Sequence, residues 1–441
     1  MATAQAIDLR LGAEEVLRHN DTGTYSVPSR ATYPHQWNWD SALAALGWEA
    51  LDPGRAWTEL ETLAGARDRH GMIPHIAFHT RVPDRIGPRL RGLVTLVARP
   101  YARYLPGPPW WGRRLSADGR RISGITQPPV AATCTRLLFE AHPDERRAAA
   151  LLQPFHDWHR WLLEARDPHG FGEPVLIHPW ESGRDNSIEW DDPLFRVTPE
   201  VTVVHRRDTD SVDAAERPTD EHYRRYLTLV RQGTACGWDQ PRLAAEGGFR
   251  VLDAGFSAML ARGAGDLAWL ADRLGQPRIA DESRVISERV GAALRARAGS
   301  DGLIRSADTV DSTTLPPTSA GSALALLTPD LGVRELQAAR DLVSVGALAS
   351  AFGVRSLDRD HPQRSDRNYW RGPVWANVTW LCAHALEGHG EPILAAELRR
   401  RMFDAVARGG MREYVLPETG RGLGARDFSW TAALYLREIR A

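Results

Sequence analysis

Apolar residues recur at three- and four-residue spacing along most of the 441-residue chain, the signature of amphipathic helices rather than of strands. The pattern predicts helices over 36–51, 55–71, 146–167, 249–275, 282–299, 332–350, 372–390, 391–410 and 429–440. Several stop on glycine, as in "DRHG", "EGHG" and "ARGG", and new ones open near Ser, Asp or Pro, the residues that end and start helices. Period-two stretches are few and short, so no large sheet is expected. With weaker segments included the chain offers about a dozen helices in sequential hairpins, which fits a closed ring of hairpins, the (α/α)6 barrel, or an open solenoid. A solenoid repeats a sequence template, and none is found. Aromatic and acidic motifs gather instead near helix starts and in loops, as around the mouth of a closed barrel. The expected fold is therefore all-α, an (α/α)6 barrel, as one domain over 1–441.

Two stretches, 79–129 and 179–219, are too irregular and too rich in Pro, Gly and charge to be simple connections. Loops of that length inside a compact domain are either functional lids or disordered. Their aromatic content, in "YLPGPPWW" and "IEWDDPLF", favours ordered lids, because disordered segments are poor in aromatics.

Composition narrows the function classes. No apolar run is long enough to span a bilayer, and the opening "MATAQAIDLRLGAEEVLRHN" lacks the basic start and apolar core of a secretory signal. A cytoplasmic protein without a membrane partner is expected. Cys134, Cys236 and Cys382 are scattered and without metal-ligand spacing, which argues for buried small side chains rather than a disulfide framework or a zinc site. All 55 basic residues are arginine. Without lysine there is no Schiff base and no phosphate-loop lysine, which removes pyridoxal enzymes and P-loop nucleotide enzymes. No metal or cofactor is called for. The net charge of −1 gives the whole molecule no field to gather a polyanion. Between Arg81 and Arg121, however, ten arginines face only Asp84 and Asp118, either a solvated loop or an attractor for an anionic small molecule. No nucleic-acid recognition motif accompanies them. A homo-oligomer stays open.

The densest chemistry is "IHPWESGRDNSIEWDD" (177–192), with five carboxylates and two tryptophans. Pro179 and Gly183 break any helix, so Glu181 and Asp185 sit on a constrained loop. A proton-donating acid at neutral pH needs an apolar or aromatic wall to raise its pKa, and Trp180 and Trp190 are candidates for it. A glycosidase sets its two carboxyl groups on opposite sides of the scissile bond; Glu413, in "GGMREYVLPETG", is a candidate for the second. "YPHQWNWDSA" (33–42) and "NYWRGPVW" (368–375) concentrate aromatics that could stack on sugar faces, with Asp40, Gln127 and Arg371 interleaved as polar groups. "HDWH" (His156, His159) has no HExxH pattern and reads as surface histidines. "DTDSVDAAERPT" starts like a calcium loop but carries Asp213 and Thr219 where glycine and glutamate are needed.

Taken in order, "YPHQWNWDSA", "GMIPHIAF", "SGITQPP", "WESGRDNS", "RPTDEHYRRY", "YWRGPVW" and "EYVLPETG…SWTAA" resemble family 63 of the glycoside hydrolases, above all its small bacterial members that hydrolyse glucosylglycerate or mannosylglycerate. The resemblance runs from about Tyr33 to the end of the chain. It implies an (α/α)6 barrel and an inverting mechanism, with the general acid on Asp185 and the general base on Glu413. Glu181 would then orient the loop. Tyr33, Trp39 and Asp40 match the sugar-holding wall, and Gln127, Tyr369, Trp370 and Trp375 match further positions. Tyr104, Arg217 and Tyr223 match residues that hold the glycerate carboxylate, a role that a planar guanidinium suits. His75, Trp180 and Gly183 complete the set of substrate-binding candidates.

The chain departs from the family in a longer basic segment at 79–103, in Phe428 where relatives tend to carry a polar residue, and in Leu416 where an acid is common. These departures bear on the aglycone. The expected activity is hydrolysis of a hexosylglycerate to hexose and glycerate. The alternatives are an α-glucosidase on neutral disaccharides or a larger anionic α-glucoside, an epimerase using His75 and His361, and a non-catalytic sugar-binding protein.

Overall fold

The computed structural model describes residues 4–81, 107–204 and 206–440. Twelve helices alternate between an outer and an inner layer. In chain order they are α1 (Ala4–Asn20), α2 (Asn38–Leu51), α3 (Pro53–Gly65), α4 (Ala131–Ala141), α5 (Glu145–Arg166) and α6 (Ala254–Arg273). The rest are α7 (Pro277–Ala296), α8 (Ala320–Leu324, continued as a 3-10 turn to Leu327), α9 (Val333–Ser344), α10 (Ala376–Gly388), α11 (Pro392–Gly409) and α12 (Ser429–Arg440). Each even-numbered helix packs on the next even-numbered one, and α12 closes on α2, so the inner six form a complete ring. The odd-numbered helices lie outside them, α7 on α6 and α11 on α10 for example. This is the (α/α)6 barrel.

Starts and stops follow local chemistry. Asp52, Asp144 and Asp253 cap α3, α5 and α6 with side-chain oxygens that accept backbone N–H groups of the first turn. Proline opens α3, α7 and α11, where its missing N–H costs nothing. The inner helices are buried nearly all round: every residue from Asn38 to Glu49 in α2 is buried. The seam between α2 and α12 is closed by Gly47, where an added Cβ would lie 2.4 Å from the Ala433 Cα; only a glycine admits that approach.

The sheets are small. Gln36–Trp37 pairs antiparallel with Ile76–Arg81, which pairs with Arg120–Ile122. Val175–Leu176, Val251–Leu252, Ala307–Asp308 and Thr313–Thr314 form a four-stranded meander, and Tyr414–Val415 pairs with Gly422–Leu423. These ribbons hold the loops that precede inner helices. The 179–219 stretch packs as short helical turns, and the helix that follows it, Asp220–Ala235, lies outside the twelve-helix plan. No helix among the described residues is long and apolar enough to cross a membrane.

Two expectations are corrected. His156 and His159 are fully buried rather than exposed. Their spacing puts them on the same stripe of α5 as Leu152 and Phe155, facing the ring. The His156 Nε2 meets the Glu282 carboxylate of α7 at 2.6 Å, and burial pushes the His159 imidazole down to about 3, so it stays neutral. Cys134 and Cys382 are buried, but Cys236 is partly exposed at the end of the Asp220–Ala235 helix, its Sγ donating to the Gly233 carbonyl.

Candidate active site

Loops that precede inner helices converge on one cavity. Trp39 and Asp40 come from the first turn of α2, Gln127 precedes α4, Trp375 caps α10, and Phe428 and Trp430 flank the start of α12. Tyr33, His75, Trp180, Gly183, Asp185, Arg217, Tyr223, Tyr369, Trp370 and Glu413 complete most of its lining. Of the catalytic and substrate-binding candidates supplied by the family resemblance, all but Tyr104 line this wall; Tyr104 lies outside the described residues together with most of the basic 79–103 segment. Pro28, Trp37, Pro218, Phe428 and Trp430 also line it and were not among the candidates. Phe428 and Trp430 carried an aromatic signal just before a helix, whereas nothing in the sequence marks Pro28. His361 and Trp190 are not in the lining. Trp190 supports the acidic loop from behind, its indole N–H donating to the Arg184 carbonyl at 2.9 Å.

The wall is aromatic. Trp370 and Trp375 stack with centroids 3.8 Å apart and planes 5° from parallel, Trp375 meets Tyr414 at 4.6 Å, and Trp39 stands edge-on to Trp430 at 5.2 Å. Tyr369 holds a left-handed backbone (φ +43°), a conformation that costs a non-glycine residue about 1–3 kcal/mol. Its carbonyl is held by the Trp375 indole N–H and its hydroxyl lies 3.2 Å from that of Tyr33. His75, stacked on Trp180 at 5.9 Å, is pushed well below its ordinary pKa by burial and by neighbouring His178; it presents a neutral ring.

Asp185 is fixed by its backbone, and among the described residues no other side chain hydrogen-bonds its carboxyl. The chain reaches it through Gly183, at φ +68°, where a Cβ would lie 2.6 Å from the Trp39 ring. The Tyr226 hydroxyl of the Asp220–Ala235 helix donates to the Asp185 carbonyl at 2.8 Å. On one side, buried Arg184 donates to Glu189 and Asp253, both at 2.6 Å. On the other, Asn186 donates to Asn368 and accepts the Trp370 N–H. Burial pushes the Asp185 carboxyl up to about 8; Arg217 works against the rise and the Glu413 charge adds to it. Asp40, fully enclosed, is likewise raised well above its ordinary value by burial, with Glu413 and Asp185 adding to it.

Glu413 has the opposite surroundings. It precedes the Tyr414–Val415 strand, and its carboxyl accepts from the Tyr33 hydroxyl (2.8 Å), from Arg217 Nη1 (3.2 Å) and Nη2 (2.9 Å), and from the Ala425 backbone N–H (2.8 Å). Arg217 also donates to the Tyr33 hydroxyl at 2.8 Å and lies over the Tyr369 ring. No hydrogen bond joins Asp185 to Glu413. Glu181, completely buried, faces away from the cavity and accepts from Arg166 twice and from the Thr126 and Ile177 N–H groups. Arg166→Met should leave that carboxylate buried and unpaired and lower stability by about 3–5 kcal/mol, read as a drop in the chemical-denaturation midpoint.

The family model described as mannosylglycerate hydrolase MGH1-like glycoside hydrolase domain matches residues 33–431. The chain belongs to this family. It is 39% identical to a mannosylglycerate hydrolase of Thermus thermophilus, over 96% of this chain and 99% of that one. It is 34% identical to a glucosylglycerate hydrolase of Mycolicibacterium hassiacum, over 96% of each. A crystal structure of a family 63 mannosylglycerate hydrolase from Thermus thermophilus, in complex with Tris and D-glycerate, superposes with a TM-score of 0.86 at 38% identity, covering 98% of this chain and all of that one. The fold extends further: a yeast neutral trehalase shares it at a TM-score of 0.57 and 14% identity. The protein is a glycoside hydrolase, and the cavity at the mouth of its inner ring gathers the residues that the family motifs mark.

Proposed function

We propose that this glycoside hydrolase cleaves an α-linked hexosylglycerate, glucosylglycerate or mannosylglycerate, to hexose and glycerate with inversion at the anomeric carbon. Asp185 serves as the general acid and Glu413 as the general base. The observation that carries the proposal is the contrast between two carboxyls in one aromatic cavity. Asp185 is pushed up to about 8 and keeps its proton at neutral pH, while Glu413 is surrounded by donors, which a carboxylate accepts. Divergent environments for two acids are how one site assigns acid and base. Asp185 protonates the glycosidic oxygen as the C1–O bond breaks. A water held by Glu413 on the far face gives its oxygen to C1 and its proton to Glu413.

Tyr33, Trp39, Asp40, His75, Gln127, Trp180, Gly183, Tyr369, Trp370 and Trp375 form the hexose subsite, with the rings stacking on apolar sugar faces and Asp40 facing ring hydroxyls. Arg217, with Tyr223 in the same wall, is the guanidinium for the glycerate carboxylate. The similarity to hydrolases of mannosylglycerate and glucosylglycerate supports this substrate class.

The test is incubation with glucosylglycerate, mannosylglycerate and a neutral α-disaccharide, with proton NMR of the anomer first released. The expected result is faster turnover of a hexosylglycerate and initial release of the β-anomer. Preference for the neutral disaccharide would reject the substrate, and release of the α-anomer would reject the mechanism.

A further inference from the structure

The proposed general base is saturated. Each carboxylate oxygen offers about two acceptor directions. On Glu413, Oε1 takes Tyr33 and Arg217 Nη1, and Oε2 takes Arg217 Nη2 and the Ala425 N–H. A carboxylate so occupied has no direction left for the proton of an attacking water. Two of the four bonds come from one group, Arg217, which is the only guanidinium among the described residues lining a cavity that also holds Asp40 and Asp185. That guanidinium is 2% exposed. Its Nε has no hydrogen-bond partner among the described groups, the nearest acid oxygen being that of Asp208 at 4.0 Å. Tyr33, Tyr369, Tyr414, Asp185, Asp208 and Glu413 are titratable groups around it. A buried cation with a spare donor, paired to the base and facing the cavity, is placed to exchange partners.

We infer that Arg217 couples aglycone recognition to the base: a substrate carboxylate draws the guanidinium off Glu413 and so frees it to accept a proton from water. The inference rests on the hexosylglycerate reading above. Tyr33 and the Ala425 N–H keep Glu413 in place after the exchange, one on each oxygen, and one acceptor direction per oxygen opens. The anionic aglycone is then needed for turnover as well as for binding, so a neutral sugar that fits the hexose subsite meets a base that is still capped. Arg217 is a positioning residue toward Glu413 and a binding residue toward the substrate.

The experiment uses α-glucosyl and α-mannosyl fluoride, whose small leaving group leaves the glycerate end of the cavity open. Water attacks C1, the C–F bond breaks, fluoride departs, and the proton goes to Glu413. Wild-type protein is assayed with and without free D-glycerate, alongside glucosylglycerate and mannosylglycerate as reference substrates. D-glycerate should raise kcat for the fluoride by at least about tenfold, a part of the full effect of a general base, while propane-1,2-diol, its uncharged analogue, should not. In Arg217→Met, D-glycerate should no longer raise kcat for the fluoride, whereas a merely structural arginine would leave the ratio of rates with and without glycerate unchanged. If Arg217→Met does not fold, the wild-type glycerate titration decides alone. Ordinary turnover of a hexosylglycerate together with no activation, or only inhibition, by glycerate would overturn the inference and leave the substrate reading standing. Failure to hydrolyse either hexosylglycerate would sink both.

Discussion

Asp185→Asn will lose at least about 10²-fold in kcat toward a hexosylglycerate, the lower end of general acid effects, and much less toward an α-glycosyl fluoride assayed under matched conditions. Fluoride leaves without full protonation, so the amide, which cannot supply the proton, is penalised only where the leaving oxygen needs one. The wild-type pH profile should show its basic limb near 8, because the active form of Asp185 is protonated and is lost as pH rises through that value. Asp185→Asn should lack that limb. The same raised pKa carries a stability consequence. An aspartate that titrates at its ordinary 3.8 unfolded and near 8 folded takes up a proton on folding at intermediate pH, so its contribution to stability falls as pH climbs from about 4 to about 8. Asp185→Asn removes this penalty and should be more stable than wild type at pH 7, with the difference shrinking toward pH 4. An equal loss on both substrates, or an unchanged pH profile, would remove Asp185 from the acid role.

Glu413→Ala should lose at least about 10²-fold toward a hexosylglycerate and toward an α-glycosyl fluoride assayed with D-glycerate present, because each needs water deprotonated at C1. Azide distinguishes loss of the base from collapse of the site. A small anion that needs no deprotonation fits the space left by the side chain, beside the Arg217 guanidinium, which the variant leaves without its 2.9 Å partner. Azide should restore turnover in Glu413→Ala and give the β-glycosyl azide: the nitrogen bonds to C1, the C1–O bond breaks, and Asp185 protonates the departing oxygen. Recovery of the hexose alone, at a rate indifferent to azide, would assign the base elsewhere.

Much of the ring was legible because amphipathic outer helices announce themselves. The segments read as 146–167, 282–299 and 391–410 correspond to α5, α7 and α11 within a few residues. The weaker readings fall where the physics removes the periodicity. A helix enclosed on all sides needs no polar face, and the one-turn α8, Ala320–Leu324, is too short to show a period, although it fills an inner position. The helix Asp220–Ala235, which follows an irregular stretch, was not among the predicted helices. Site composition was legible because aromatics, glycine and carboxylates crowd before helices, and the order of the motifs supplied the rest. The pairing of Arg217 with Glu413 was not: the two are 196 positions apart, and no spacing rule connects a guanidinium to a carboxylate at that range. The buried histidines of α5 were misread because a polar residue on an apolar stripe looks exposed until its partner, Glu282 on a different helix, is in place.

The seam at Gly47 and Ala433 sets the order in which the cavity can mature. The inner layer is finished when its last member docks against the second helix of the chain, so a nascent polypeptide halted before residue 429 would have five of its six inner staves and an open side. Pairings of such long range are slow to form and leave apolar surface uncovered while they wait. The terminal dozen residues thus act as a keystone: their removal should yield aggregation-prone material rather than a slower catalyst.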